Sequence, residues 1–173
     1  NTDQPSSQNL IPQNTLKRYD ESSMSAAEKE DASYTIDGKT DTIWHSNYSS
    51  SYKLPQYVTI DLGAVYDLEQ VNMLPRQNSR NGHITHYRIE VSKDGNEYVE
   101  VANVKENVAG LTSDNVPVSI ARYVKLIVDT PTQGGDSAAR IYEVEVNGLE
   151  KAITLPPVYV EEADKTALKI AVD

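Results

Sequence analysis

Strict alternation of apolar and polar residues governs the middle of this chain, and it leaves few folds open. Between residues 57 and 148, YVTIDL offers Val58, Ile60 and Leu62 to one face, HYRIEVS offers Tyr87, Ile89 and Val91, and RYVKLIVD offers Val124, Leu126 and Val128. IYEVEV does the same with Tyr142, Val144 and Val146. A period of two places alternate side chains on opposite sides of a strand, so each run reads as a half-buried antiparallel strand. Turn signals separate them, in DLGAVYD, in SRNG at 79–82, in KDGNE at 93–97 and in TQGGDS at 132–137. Short strands punctuated in this way predict an all-β sandwich or barrel.

The flanks differ from this centre. The first 56 residues are rich in Ser, Asn, Gln and Asp, with a weak helical hint at SMSAAEKE, and read as long loop and edge strand. At the other end LPPVYVEEADKTALKIAVD opens with a Pro-Pro stop and then shows a helix start, with Asp164 as N-cap and Ala167, Leu168, Ile170 and Ala171 as an apolar stripe. The expected organisation is a tail over 1–9, one domain over 10–150, and a linker over 151–163 leading into the opening of a helical neighbour. The chain begins NTDQPSSQN, without an initiator Met, which suggests a piece of a longer protein or a processed leader.

Composition narrows the partners. The formal charge is -10, from 26 acidic against 16 basic residues. Phosphate backbones and anionic lipid surfaces both need clustered Lys and Arg, so neither nucleic acid nor membrane lipid is an expected partner. No apolar run approaches the roughly 18 residues that span a bilayer. Cysteine is absent, which removes disulfides, thiolate zinc sites and cysteine nucleophiles. Phe is absent while Tyr occurs 11 times, so almost every aromatic ring carries a hydroxyl able to face water or a polar ligand.

Several longer strings then point to a family. YTIDGKTDTIWHS, PQYVTIDLG, LPRQNSRNGHITHYRIEVSKDGNEY, ARYVKL and ARIYEVEVNG, in that order over residues 10–148, resemble the discoidin or coagulation-factor type C domain. More narrowly they resemble the family 32 carbohydrate-binding modules attached to bacterial glycan-degrading enzymes. DKTALKIAVD resembles the start of the small helical FIVAR repeat that accompanies such modules in secreted or wall-attached bacterial proteins. The resemblance implies a jelly-roll β-sandwich, a ligand site on loops at one end, and a structural calcium ion nearby.

It also aligns His45, Arg76 and Asn81 with the trio that binds galactose-type sugars. A sugar hydroxyl both donates and accepts, and imidazole, guanidinium and carboxamide together satisfy several hydroxyls directionally. Read without the family, His45 is a loop histidine, Arg76 pairs with an acid, and Asn81 takes the left-handed position before Gly82 in a turn. Sugar modules add an aromatic platform, commonly in the loop before the last strand, but here that loop is TPTQGGDSAAR and carries none. Tyr48 and Tyr52 are the substitutes, unless they are ordinary surface tyrosines. Trp44, beside Ile43, is expected in the core, and His83 and His86 on the surface.

DGKTDT at 37–42 lacks the alternating acids of an EF-hand and by itself reads as a tight turn. By resemblance it is the calcium loop, implicating Asp37 and Glu143 through carboxylates, Thr42 through hydroxyl or carbonyl, and Tyr34, Lys39 and Tyr142 through main-chain oxygens. No nucleophile elbow, HExxH or phosphate-cradling glycine loop is present, so no catalytic activity is expected. The expectation is a monomeric, non-catalytic module, secreted or cell-wall attached, that targets a bacterial glycan-degrading enzyme to terminal galactose or N-acetylhexosamine. The rival is a discoidin-type adhesion domain with a polypeptide partner.

Overall fold

The structure is a computed structural model that describes residues 9–75, 83–131 and 137–151, with the side chain of Ser119 excepted. Within them the strands are β1 (Lys17–Glu21), β2 (Trp44–His45), β3 (Gln56–Pro75), β4 (His86–Ser92), β5 (Val99–Val104), β6 (Thr112–Thr130) and β7 (Arg140–Glu150). All strand pairings among the described residues are antiparallel. Two strands are long enough to serve both layers of a sandwich. The first half of β3 lies between β1 and the second half of β6, which continues to β4 and β5. The second half of β3 lies between β7 and the first half of β6, with β2 beyond β7.

The alternation delivers the core as expected. Val58, Ile60, Leu62, Ile89, Val91, Val124, Leu126, Val128, Val144 and Val146 are all buried, and Tyr87 with them. Each such side chain contributes about 1.5–3 kcal/mol relative to exposure. Trp44 joins this cluster, as its flanking Ile43 suggested, and its indole N–H donates to the Ser23 carbonyl at 3.0 Å, so burial leaves no orphaned donor.

Three expectations change. DLGAVYD is not a turn between strands. The chain runs on through β3, and the ladder to β6 shifts register between Asp61 and Tyr66, so the segment is where β3 bends from one layer into the other. Gly63 is required there: its φ is +83°, and a Cβ would stand 2.9 Å from the Thr15 carbonyl oxygen. In β7 the buried residue at the start is Ile141 and Tyr142 is half-buried, because the ladder to β3 shifts between Leu74 and Pro75. SMSAAEKE forms a turn over 26–28 instead of a helix, since three alanine and methionine side chains without an apolar stripe give a helix nothing to bury. The turns at 79–82, most of 132–137, the tail over 1–8 and the helix start after Asp164 lie outside the described residues. No helix among the described residues is long and apolar enough to cross a membrane.

Candidate functional site

β3 ends at Pro75, which pairs with Ile141 at the start of β7, and the neighbouring Arg140 pairs with His45 of β2. This end of the second layer, a rim of the sandwich, is where the described part of the candidate site lies. Arg76 and Asn81 lie outside the described residues, so their side chains carry no part of the geometry below.

His45 is held tightly. As part of β2 it pairs with Arg140, its N–H donates to the Glu30 carbonyl at 3.1 Å, and its own carbonyl accepts from Ser25 at 2.8 Å. Ser46, fully buried, donates its N–H to the Ala139 carbonyl at 2.9 Å and accepts the Ala139 N–H on its hydroxyl at 2.8 Å. The imidazole is 7% exposed, with Nδ1 2.8 Å from the Ser46 carbonyl. A carbonyl only accepts, so Nδ1 carries a proton and the ring is held in one orientation. A ring fixed in this way can offer its other nitrogen to a sugar hydroxyl.

Tyr48 stands edge-on to the His45 ring at 5.3 Å between centroids, and it is 48% exposed. Glu28 completes this corner. The Ser25 hydroxyl hydrogen-bonds its carboxylate and holds it below the usual carboxylate range, with smaller help from His45 and the Tyr48 hydroxyl. Tyr52 is 42% exposed, its backbone closed by a 2.9 Å bond to Ser49, and no contact joins it to His45. The site thus gains Glu28, which the sequence hid inside an apparent helix. His83 and His86 are half-buried, and His86 Nε2 meets Asn103 at 2.9 Å and Asp129 at 3.6 Å. His86 is thus engaged by its neighbours instead of standing on open surface as expected, while His83 Nδ1 is buried without a hydrogen-bond partner.

The segment 37–42 closes on the last strand. Asp37 accepts the Lys39 N–H at 2.9 Å on one oxygen and the Thr42 hydroxyl on the other. Glu143 accepts the Gly38 N–H at 3.1 Å and the Gln13 side-chain amide at 2.6 Å, both on Oε1. Its Oε2 is buried without a partner, as is Gln13 Oε1. Burial pushes the Glu143 carboxyl up to about 7, and the facing Asp37 adds to the rise despite the Gln13 and Gly38 donors. Among the described residues no three His, Cys, Asp or Glu side chains gather into one cluster. The dry, unpartnered Glu143 Oε2, with the Asp37 carboxylate facing it, nonetheless suits a hard cation whose other ligands are main-chain oxygens, such as those of Tyr34, Lys39 and Tyr142. Gln13, distant in sequence from Glu143, gave no sign of its role.

Comparison with known proteins decides the family. Residues 19–144 match the F5/8 type C domain. The chain belongs to that family. Among solved structures, a family 32 carbohydrate-binding module from a family 31 glycoside hydrolase of Clostridium perfringens superposes with a TM-score of 0.72 at 31% identity, over 81% of this chain and 95% of that one. Another module from Clostridium perfringens, in complex with GalNAc-β-1,3-galactose, gives 0.69 at 31% identity, over 80% and 99%. The fold of this F5/8 type C domain is therefore the discoidin-like β-sandwich of family 32 modules. Among curated proteins, an A type blood N-acetyl-α-D-galactosamine deacetylase of Flavonifractor plautii is 34% identical over 50% of this chain and 11% of its own length. A sialidase of Micromonospora viridifaciens is 29% identical over 74% and 20%. The chain spans a fifth or less of the length of these two relatives.

Proposed function

We propose that this F5/8 type C domain is a non-catalytic glycan-binding module that anchors an attached, secreted or wall-bound bacterial glycan-degrading enzyme to galactose or N-acetylhexosamine ends. The observation that carries the reading is His45, whose ring is fixed by the 2.8 Å contact between Nδ1 and the Ser46 carbonyl; in the proposed site its Nε2 accepts from a sugar hydroxyl. Solved family 32 modules in complex with galactose and with GalNAc-β-1,3-galactose support the ligand class. Arg76 and Asn81 would supply the donors that a hydroxyl pair needs beside that acceptor, and Tyr48 an aromatic edge. A site that satisfies an axial hydroxyl from two sides rejects the equatorial epimer, because the epimer leaves those polar groups unpaired.

The ion, if calcium, would be held by Asp37, Glu143, Thr42 and the carbonyls of Tyr34, Lys39 and Tyr142. When bound it supplies only charge and geometry, drawing the two carboxylates together. This chain's residues do the rest: the 37–42 segment is tied to β7, and β7 in turn positions β2 and His45. A site without a stacked ring in its last loop binds one sugar at roughly 0.1–1 mM, or about -4 to -5.5 kcal/mol. Isothermal titration with galactose and N-acetylgalactosamine against the intact chain and Arg76→Ala tests this. Binding by the first and loss in the second is expected; equal heats from both would remove the site. A rise in melting temperature with millimolar sugar separates a lectin-like rim from a polypeptide-binding one.

A further inference from the structure

On the outer face of the second layer, beside the 37–42 segment, lies a pocket of about 220 Å³ formed by Thr40, Asn72, Leu74, Leu111, Glu143 and Glu145. Its floor is Asn72, which stands on β3 between Ser113 of β6 and Glu145 of β7. Asn72 points outward, because its neighbours Val71 and Met73 fill the core, yet it is only 6% exposed and its side-chain Oδ1 has no hydrogen-bond partner. A buried carboxamide oxygen left without a donor costs about 1–3 kcal/mol. Natural proteins tolerate such an atom where something else completes it.

The walls say what that is. Leu111 is 60% exposed on the loop before β6 and faces the pocket with half-buried Leu74. Opposite them are the Glu145 carboxylate and the Thr40 residue. An apolar wall facing acceptors fits a molecule with one C–H face and several O–H donors, which describes a neutral pyranose. The exposed Glu145 carboxylate disfavours an anionic sugar, and the leucines offer nothing to a hydrated cation.

Position connects the pocket to the rim. Leu74 pairs with Glu143 while His45 pairs with Arg140, three residues along β7, which is about 10 Å at strand rise. That is the reach of a short run of linked sugars. Leu74 is also two residues from Arg76 in the chain. We infer that Asn72, Leu74 and Leu111, with Glu145 and Thr40, form a second subsite that takes an inner, neutral sugar unit of a glycan whose terminal unit occupies the rim. This rests on the glycan-binding reading above, and it adds that the module reads more than the chain end.

The test measures binding of galactose, N-acetylgalactosamine, GalNAc-β-1,3-galactose and neutral galactose-terminated tri- and tetrasaccharides to the intact chain, Asn72→Ala and Leu111→Ser. At least one oligosaccharide should bind about tenfold or more tightly than its terminal monosaccharide, the worth of one good polar contact. Both variants should erase that gain while leaving monosaccharide affinity unchanged, and Leu111→Ser should leave the melting temperature unchanged as well. Leu111→Ser guards against a folding effect at the buried position, since Leu111 is already exposed. A gain that survives both variants, or monosaccharide binding with no gain from any oligosaccharide, overturns the subsite and leaves the rim standing. Silence toward every sugar overturns both readings.

Discussion

Residues 44–46 and residues 48–52 are neighbours in sequence and opposites in circumstance. Trp44, His45 and Ser46 are buried and tied to β7, Ser23, Ser25 and Glu30. Tyr48 and Tyr52 are half in water and held by local bonds of the Asn47 and Ser49 kind. The first group is ordered in the free chain and would lose little further freedom on binding a ligand. The second keeps ring surface that can adjust. The difference teaches that one stretch of nine residues can hold a fixed half and an adaptable half side by side.

Trp44→Ala should break the comparison most severely, with a loss of about 3–5 kcal/mol from a filled core position. Chemical denaturation reads it; a loss under 1 kcal/mol, by the same ~1 kcal/mol scale of an ordinary point substitution, would mean that packing does not hold this half. Ser46→Ala follows at about 1–3 kcal/mol, because the Ala139 N–H then has no acceptor in a dry site. His45→Ala should weaken galactose binding at least about tenfold, near 1.4 kcal/mol, while melting temperature falls far less than in Trp44→Ala.

A surface ion pair on a strand sharpens the contrast, since it is ordered yet wet. Asp61 meets Arg122 through two bonds at 3.0 and 3.1 Å. Burial alone would raise the Asp61 carboxyl, but Arg122 and the Gly63 N–H outweigh it and hold the group below its ordinary 3.8. A depressed carboxyl stabilises the fold above its unfolded value and loses that contribution as pH falls through the folded one. Asp61→Asn should therefore cost about 0.5–1 kcal/mol at neutral pH, discounted for exposure. The gap to the native chain should close as pH drops below 3.8. A gap that stays constant with pH would assign the effect to packing. Smallest of all, Tyr48→Ala and Tyr52→Ala should shift stability by no more than about 0.5 kcal/mol. Glycan titration should then show a few-fold loss for Tyr48, which touches His45, and less for Tyr52.

The fold was legible because alternation is a local signal: the residues that alternate at 58–62, 87–91 and 124–128 are the ones that line the core. It failed where geometry is shared between distant strands. Nothing local distinguishes a turn at DLGAVYD from a bend inside β3, and only the register against β6 does so. For the site, the strings around His45 and Asp37 carried family resemblance, and the structure places both beside β7. Gln13 and Glu28 were invisible for the same physical reason: each acts across a fold contact, to Glu143 and to the His45 corner, that no short window of sequence contains.

The double membership of β3 and β6 has a consequence for how this molecule comes apart. Neither sheet can be peeled away as a unit, because pulling on either tears a ladder that also runs through the other. Amide exchange from the centres of both should thus proceed through one global opening at a common free energy, with no half-open species for a protease to find. That all-or-none character is a form of protection against proteolysis built from strand length alone.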